Sequence, residues 1–436
     1  MNPSSYLTRR QFVRTATLST SLLGLSSAVR GRASAVERRA IADVDVRIDR
    51  VMKCRVSYER PRIVAGNSGY RLAGRTRSDW ILILVGNNGQ VAVGACRNDA
   101  KEADGGILLG KTLSQLLTRQ ADEVNRRTGT SALWDLAGKS LGKPVYRLLG
   151  GRAPKGGVPV YDGSIYMEEL VNRDKGSEYR NPKATYGRNP GWSDILKEAI
   201  DTTLEQGHTS AKVKIGRGAI HLSRKAGNYQ DAAVLRLIRD HAGDGFGIGV
   251  DANNGYALED TIWLLEECRD LKLAFIEEMF RDDVEKYRRV RQVLRELRLS
   301  TLTADGESWR GPGDPLAREM IESGVVDILQ GDMRRFQIEG ILEESRLAEA
   351  AGHGSRIAPH NWASEFGFYM QIHVACAIPN FYRAEHDPGK AKDDTLIKQG
   401  YKIRNGLCSD FDAPGLGIEV NTRKLDRLEA GFDIRA

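Results

Sequence analysis

Gly247-Ile248-Gly249-Val250-Asp251-Ala252-Asn253-Asn254-Gly255 reads as a short apolar strand that ends on an acid and breaks in an Asn/Gly turn. The same unit recurs on both sides of it. Upstream, Ala211-Lys212-Val213-Lys214-Ile215 is a strand with two lysines at its end; downstream, Phe275-Ile276-Glu277-Glu278 and Ala304-Asp305-Gly306-Glu307 end on carboxylates. Further strands are expected at 158–161, 302–304, 326–329, 356–358 and 381–384, with amphipathic helices between them. In 282–297, for example, Val284, Tyr287, Val290, Val293 and Leu294 mark one helical face. A strand–helix pair every 25–37 residues argues a parallel sheet with crossover helices. Eight strand candidates favour a closed α/β barrel over an open doubly wound sheet, because no GxGxxG follows the first strand.

Ahead of the barrel the rhythm is different. Residues 79–85 and 90–94 alternate as strands around Gly86-Asn87-Asn88-Gly89, a hairpin turn signal, and 131–139 has helical spacing before Gly150-Gly151 and Pro154 break the chain. We read 42–155 as a small α+β domain, 156–409 as the barrel, and 410–436 as a segment returning to the small domain. Residues 163–192, rich in Gly, Asn, Pro and Arg, read as a long loop near the barrel mouth or a surface excursion.

The chain carries a formal charge of +7. Five arginines (Arg9, Arg10, Arg14, Arg30, Arg32) and no acid lie within residues 1–35, which leaves +2 for the rest. No later run of Lys and Arg interleaved with aromatics points to nucleic acid. Thr8-Arg9-Arg10-Gln11-Phe12-Val13-Arg14, a mild apolar stretch and Ala33-Ser34-Ala35 resemble a twin-arginine signal with cleavage near Ala35. The expectation is export of a folded protein by the twin-arginine machinery to the periplasm or medium. No stretch is long and apolar enough to span a membrane. The five cysteines are scattered and lack CxxC spacing, so buried or partly buried free thiols are expected.

The chemistry lies at the strand ends, where barrels of this kind carry it. Alternation puts Lys212 and Lys214 on one face. Two ammoniums in one mouth are expected to lower each other's pKa, freeing one as a base; an exposed edge pair is the plainer alternative. Asp251, Glu277 and Glu307 come one per strand–helix unit. Three such carboxylates side by side repel unless a cation sits among them, and hard oxygen donors suit Mg²⁺. Asp332 ends the sixth strand and His360 the seventh; an Asp beside a His fixes its tautomer and raises its basicity. His360 would then face Lys214 across the mouth. Glu385 stands at the end of the eighth strand.

These motifs look like the mandelate racemase and muconate lactonizing branch of the enolase superfamily. So does Ser131-Ala132-Leu133-Trp134-Asp135-Leu136-Ala137-Gly138-Lys139, followed by Gly142-Lys143-Pro144-Val145-Tyr146. The resemblance implies a (β/α)7β TIM-like barrel under an N-terminal α+β capping domain, in an oligomer. It implies Lys214 as base, Asp251, Glu277 and Glu307 as Mg²⁺ ligands, Asp332 and His360 as a dyad, and Lys212, Asn253 and Glu385 as substrate contacts. Glu278 in place of Glu277, and Asp305 in place of Glu307, remain alternatives. Met279 and Gly331 stand where the family usually has proline; neither removes a functional group. The implied activity is removal of the proton beside a carboxylate, most simply in dehydration of an acid sugar to a 2-keto acid, with residues 57–75 reading its hydroxyls. Racemisation or epimerisation of a 2-hydroxy acid is the alternative. Dipeptide epimerisation fits less well, because the sixth strand ends on Asp332 and has no lysine. A non-catalytic exported binder would show loss of a base or ligand, and none is lost.

Overall fold

Gly86-Asn87-Asn88-Gly89 forms the tight link between strands Leu72–Gly86 and Val91–Ala95, closed by Gly86 N–H donating to the Gln90 carbonyl at 3.0 Å. The computed structural model describes residues 44–172, 178–186, 191–391, 397–427 and 429–436. The leader-like segment 1–35 lies outside them.

Strand Ile48–Ala65 pairs antiparallel with Leu72–Gly86 on one edge and with the chain's last strand, Glu429–Arg435, on the other. Helix Ser131–Leu141 covers this sheet with Leu133, Trp134 and Leu136 buried, and stops where Gly142 turns left-handed. Each large apolar side chain buried here contributes roughly 1.5–3 kcal/mol. Asp135 on the same helix is buried and accepts from Lys139 Nζ (2.7 Å), Val93 N–H (2.8 Å) and Leu416 N–H (2.7 Å). One acid thus ties helix, sheet and C-terminal segment together. Gly138 lets that segment approach: a Cβ there would stand 2.6 Å from the Gly415 Cα.

The barrel strands are Val158–Ile165, Ser210–Lys214, Gly247–Asp251, Phe275–Glu277, Leu302–Asp305, Ile328–Leu329, Arg356–Ile357 and Ala384–His386, each parallel to the next. The eighth pairs with the first. The seventh meets the eighth through Ile357 and its bonds to Asn380 and Tyr382, which closes the ring. Among the described residues, each of the seven crossovers between the eight strands carries a helix of nine residues or more. The last strand is displaced from the expected 381–384, beginning at Ala384 and ending at His386. Glu385 and His386 stay in register with Tyr161 and Asp162, because both find polar partners inside the fold.

Below the mouth the barrel is plugged by Tyr161, Phe275, Ala304, Ile328 and Ala358. Phe275 needs the glycine opposite it, since a Cβ at Gly249 would lie 2.2 Å from the ring. The described part of 163–192 is no surface excursion and no plain loop. It holds a short 3-10 turn (Glu168–Leu170), a two-stranded ribbon, the helical turn Pro182–Thr185 and the start of helix Gly191–Glu205. Glu169 is fully buried against Arg217 at 2.6 Å, and Arg217 also holds Asp231 at 2.7 Å. Among the described residues of the segment, Glu168 and Glu169 are buried because each meets an arginine, Arg62 and Arg217.

Candidate active site

Lys212 and Lys214 rise on the same face of the second barrel strand and are 1% and 3% exposed. Lys212 Nζ lies 2.6 Å from Glu277, 2.8 Å from Glu385 and 3.4 Å from Asp251. Lys214 Nζ is bonded to Asp251. Burial alone would lower both lysines, and Lys212 also lowers Lys214. The carboxylates outweigh both effects and raise both pKa values, Glu277 and Glu385 foremost at Lys212 and Asp251 at Lys214. This reverses the expected mutual lowering: alternation placed the two cations together, but the number of acids around them sets the sign.

Asp251, Glu277 and Glu307 converge from three consecutive strands, each offering an oxygen within 4.8 Å of the others. Burial would raise Asp251, but the two lysines hold it below its ordinary value. Burial pushes Glu277 up to about 8, against Lys212 and with help from Asp251. Gln330 donates to its second oxygen at 2.6 Å. Glu307 Oε2 is buried with His360 Nε2 3.0 Å away as an ion-pair neighbour. Three hard oxygen donors that converge with no sulfur or nitrogen among them fit a dication such as Mg²⁺.

Of the alternatives, Asp305 turns away to the helix layer, accepting from Tyr287 at 2.5 Å and from Gly306 N–H at 2.7 Å. Glu278 sits beside the cluster with φ +41° and accepts from Asn253 at 3.2 Å. Burial, with Glu307, Asp251 and Asp305 near it, pushes Glu278 up to about 11.

On the far side His360 Nδ1 is 2.8 Å from Asp332 Oδ2, and its Nε2 is 3.0 Å from Glu307. Burial opposes the imidazolium, but Glu307 and Asp332 outweigh it and push His360 up to about 9. Asp332 is held down to about 2, chiefly by His360 against burial. It also caps helix Met333–Ala351, accepting from Arg335 N–H. Glu385 accepts from Asn361 N–H at 2.7 Å.

One network therefore joins Lys212, Lys214, Asp251, Glu277, Glu307, Asp332, His360 and Glu385. Asn253 differs. Its amide oxygen is taken by Asn67 at 2.7 Å and its carbonyl by Ser68 at 3.0 Å, which makes it a joint between the mouth and the N-terminal sheet. Residues absent from the sequence reading also stand here. Tyr166 lies against Lys214, Trp362 against Tyr166, and Gln330 and Asn361 hold carboxylates. Tyr166 follows the first barrel strand only because that strand runs on to Ile165, past the expected 158–161, and Trp362 lies two residues past His360.

A family model described as Enolase C-terminal domain-like matches residues 194–424. The chain is 27% identical over 304 residues to the D-galactarolactone cycloisomerase of Agrobacterium fabrum, covering 66% of this chain and 70% of that protein. It is 27% identical over 292 residues to the arabinonate dehydratase of Saccharolobus solfataricus, covering 66% and 68%. Among solved structures, a mandelate racemase/muconate lactonizing protein from a Geobacillus species, complexed with magnesium and tartrate, superposes with a TM-score of 0.77. It is 26% identical, and the match covers 90% of this chain and 98% of that one.

Proposed function

The chain belongs to the Enolase C-terminal domain-like family, and on that premise we propose that it removes the proton beside the carboxylate of an acid sugar and expels water to leave a 2-keto-3-deoxy acid. The observation that carries this reading is the placement of an amine, Lys214, and an Asp-oriented imidazole, His360, on opposite flanks of the carboxylate triad.

Lys214 takes the α-proton, and the C–H electron pair moves toward the substrate carboxylate. The Lys212 ammonium, fixed by Glu277 and Glu385, stabilises the charge that grows on those oxygens. His360 gives its proton to the β-hydroxyl as the C–O bond breaks, and the resulting enol becomes the 2-keto acid. Asp332 accepts from Nδ1–H and stabilises the imidazolium, which leaves Nε2–H as the proton to give. Mg²⁺ held by Asp251, Glu277 and Glu307 would oppose the developing negative charge and cancel the field that holds Lys214 protonated.

The curated relatives, a sugar-lactone cycloisomerase and a sugar-acid dehydratase, support the substrate class. The test is a screen of acid sugars with Mg²⁺ for 2-keto acid formation, run in parallel in deuterated water. Turnover with release of water is expected. Deuterium incorporation with inverted stereochemistry and no keto acid would replace the dehydratase by a racemase or epimerase.

A further inference from the structure

Four side chains from four separate elements stack in a row beside the site. Arg60, on strand Ile48–Ala65, is 3% exposed and grips Asp387 with both ends of its guanidinium, at 3.0 and 2.8 Å. Its Cζ lies 4.4 Å from the Trp362 ring. Trp362 in turn faces Tyr166, centroids 4.8 Å apart and planes tilted by 30°. The Tyr166 ring, 3% exposed, stands 5.1 Å from Lys214 Nζ. The row therefore runs cation, ring, ring, cation, an order in which each neighbour attracts the next.

Arg60 reaches the other flank as well. Its partner Asp387 accepts from Ala363 N–H at 3.1 Å, three residues beyond His360. The same loop is tied by His360 O accepting from Met333 N–H at 2.9 Å and by Asn361 N–H donating to Glu385. Trp362 sits inside this loop. A push on Arg60 thus bears on the base through the two rings and on the imidazole through the loop.

Lysine needs such a wall. Its tip hangs on four rotatable bonds, and Asp251 holds it from one side only. The ring on the other side does not titrate in the working range, so it confines the tip whether or not the amine carries its proton.

We propose that Arg60, Trp362 and Tyr166 form a positioning stack through which one residue of the N-terminal sheet sets where the Lys214 tip and the His360 loop stand together. This rests on the reading of Lys214 and His360 as base and acid. Arg60 and Trp362 reach Lys214 only through the Tyr166 ring, so the stack acts on geometry. A displacement of about 1 Å at a reacting group is enough to cost about 100-fold in rate.

The experiment compares ring-keeping with ring-deleting variants: Trp362→Phe against Trp362→Ala, and Tyr166→Phe against Tyr166→Leu. We expect kcat to fall about 100-fold in the Ala and Leu variants with KM within about threefold, and the Phe variants to stay within about fivefold of the parent. Parental kcat in the ring-deleting variants, or equal damage in the Phe variants, overturns the stack. If Trp362→Ala does not fold, the Tyr166 pair decides. Crystal structures of the variants give a reading that needs no turnover: the Lys214 tip is expected to move by about 1 Å when a ring is deleted, and an unmoved tip refutes the proposal. If the parent itself acts on no acid sugar, the functional reading falls and the crystal comparison alone judges the stack.

Discussion

The two flanks of the carboxylate triad place a nitrogen base by different means. On the lysine flank both ammoniums are buried, and their neighbours Asp251 and Glu277 are themselves members of the triad. On the histidine flank the ring is only half-buried and owns a carboxylate outside the triad, Asp332. The protonation of Lys214 is therefore bound to what the triad holds. His360 keeps a partner of its own whatever occupies the centre. The difference is one of degree, since His360 Nε2 also lies 3.0 Å from the triad's Glu307 and Lys212 also reaches Glu385 outside the triad.

The sharpest way to break this comparison is to remove one flank. Lys214→Ala should abolish keto acid formation and α-proton exchange by at least about 10⁴-fold, while the melting temperature stays near the parent's. Exchange that survives would move the base elsewhere. His360→Asn should lower dehydration by about 10³-fold but leave α-proton exchange in deuterated water measurable, because the lysine flank remains. Loss of both together would mean the flanks do not act separately. Asp332→Asn is milder, about 10–100-fold in kcat, since it misorients the imidazole without deleting it.

A fourth prediction tests the coupling of the lysine flank to the triad. Burial pushes Glu277 up to about 8 against the pull of Lys212, so protonation of this acid competes with metal binding near neutral pH. A dication needs the ionised form, so Mg²⁺ binding should release up to about one proton per site. Affinity should rise as pH climbs from about 6 to 8. A pH-indicator dye at pH 7 reads this directly; no release would break the link. The smallest effect lies away from both flanks, in the buried pair His208 and His386, 3.1 Å apart. Burial, with His386 adding to it, holds His208 down to about 3, and burial holds His386 at about 4. Unfolding exposes rings that titrate near 6.5. Their stabilising contribution is full above about 6.5 and lost as pH falls toward 4. A melting temperature about 5 °C lower at pH 5 than at pH 7 is expected, and double substitution by Gln should flatten that slope.

Much of the site was legible because of local periodicity. A period of two sets both lysines on one face, and one acid per strand–helix unit brings Asp251, Glu277 and Glu307 side by side once the strands are parallel. The choice of Glu307 over Asp305 was not local. It turns on Tyr287, a helical residue that draws Asp305 outward. The segment 163–192 misled for a related reason, because a charged residue looks solvated until its partner is found, and Arg217 lies 48 residues from Glu169.

By itself the sequence determined the strand–helix alternation, the acids and bases at the strand ends, and the free state of all five cysteines. These follow from residue order and short-range sterics. Tertiary structure alone decided the sign of the lysine shifts, the use of Asn253 as a joint, and the meeting of Arg60, Trp362 and Tyr166. Electrostatic and ring contacts fall off within a few ångströms, so they exist only where packing brings together residues that the chain keeps hundreds of positions apart.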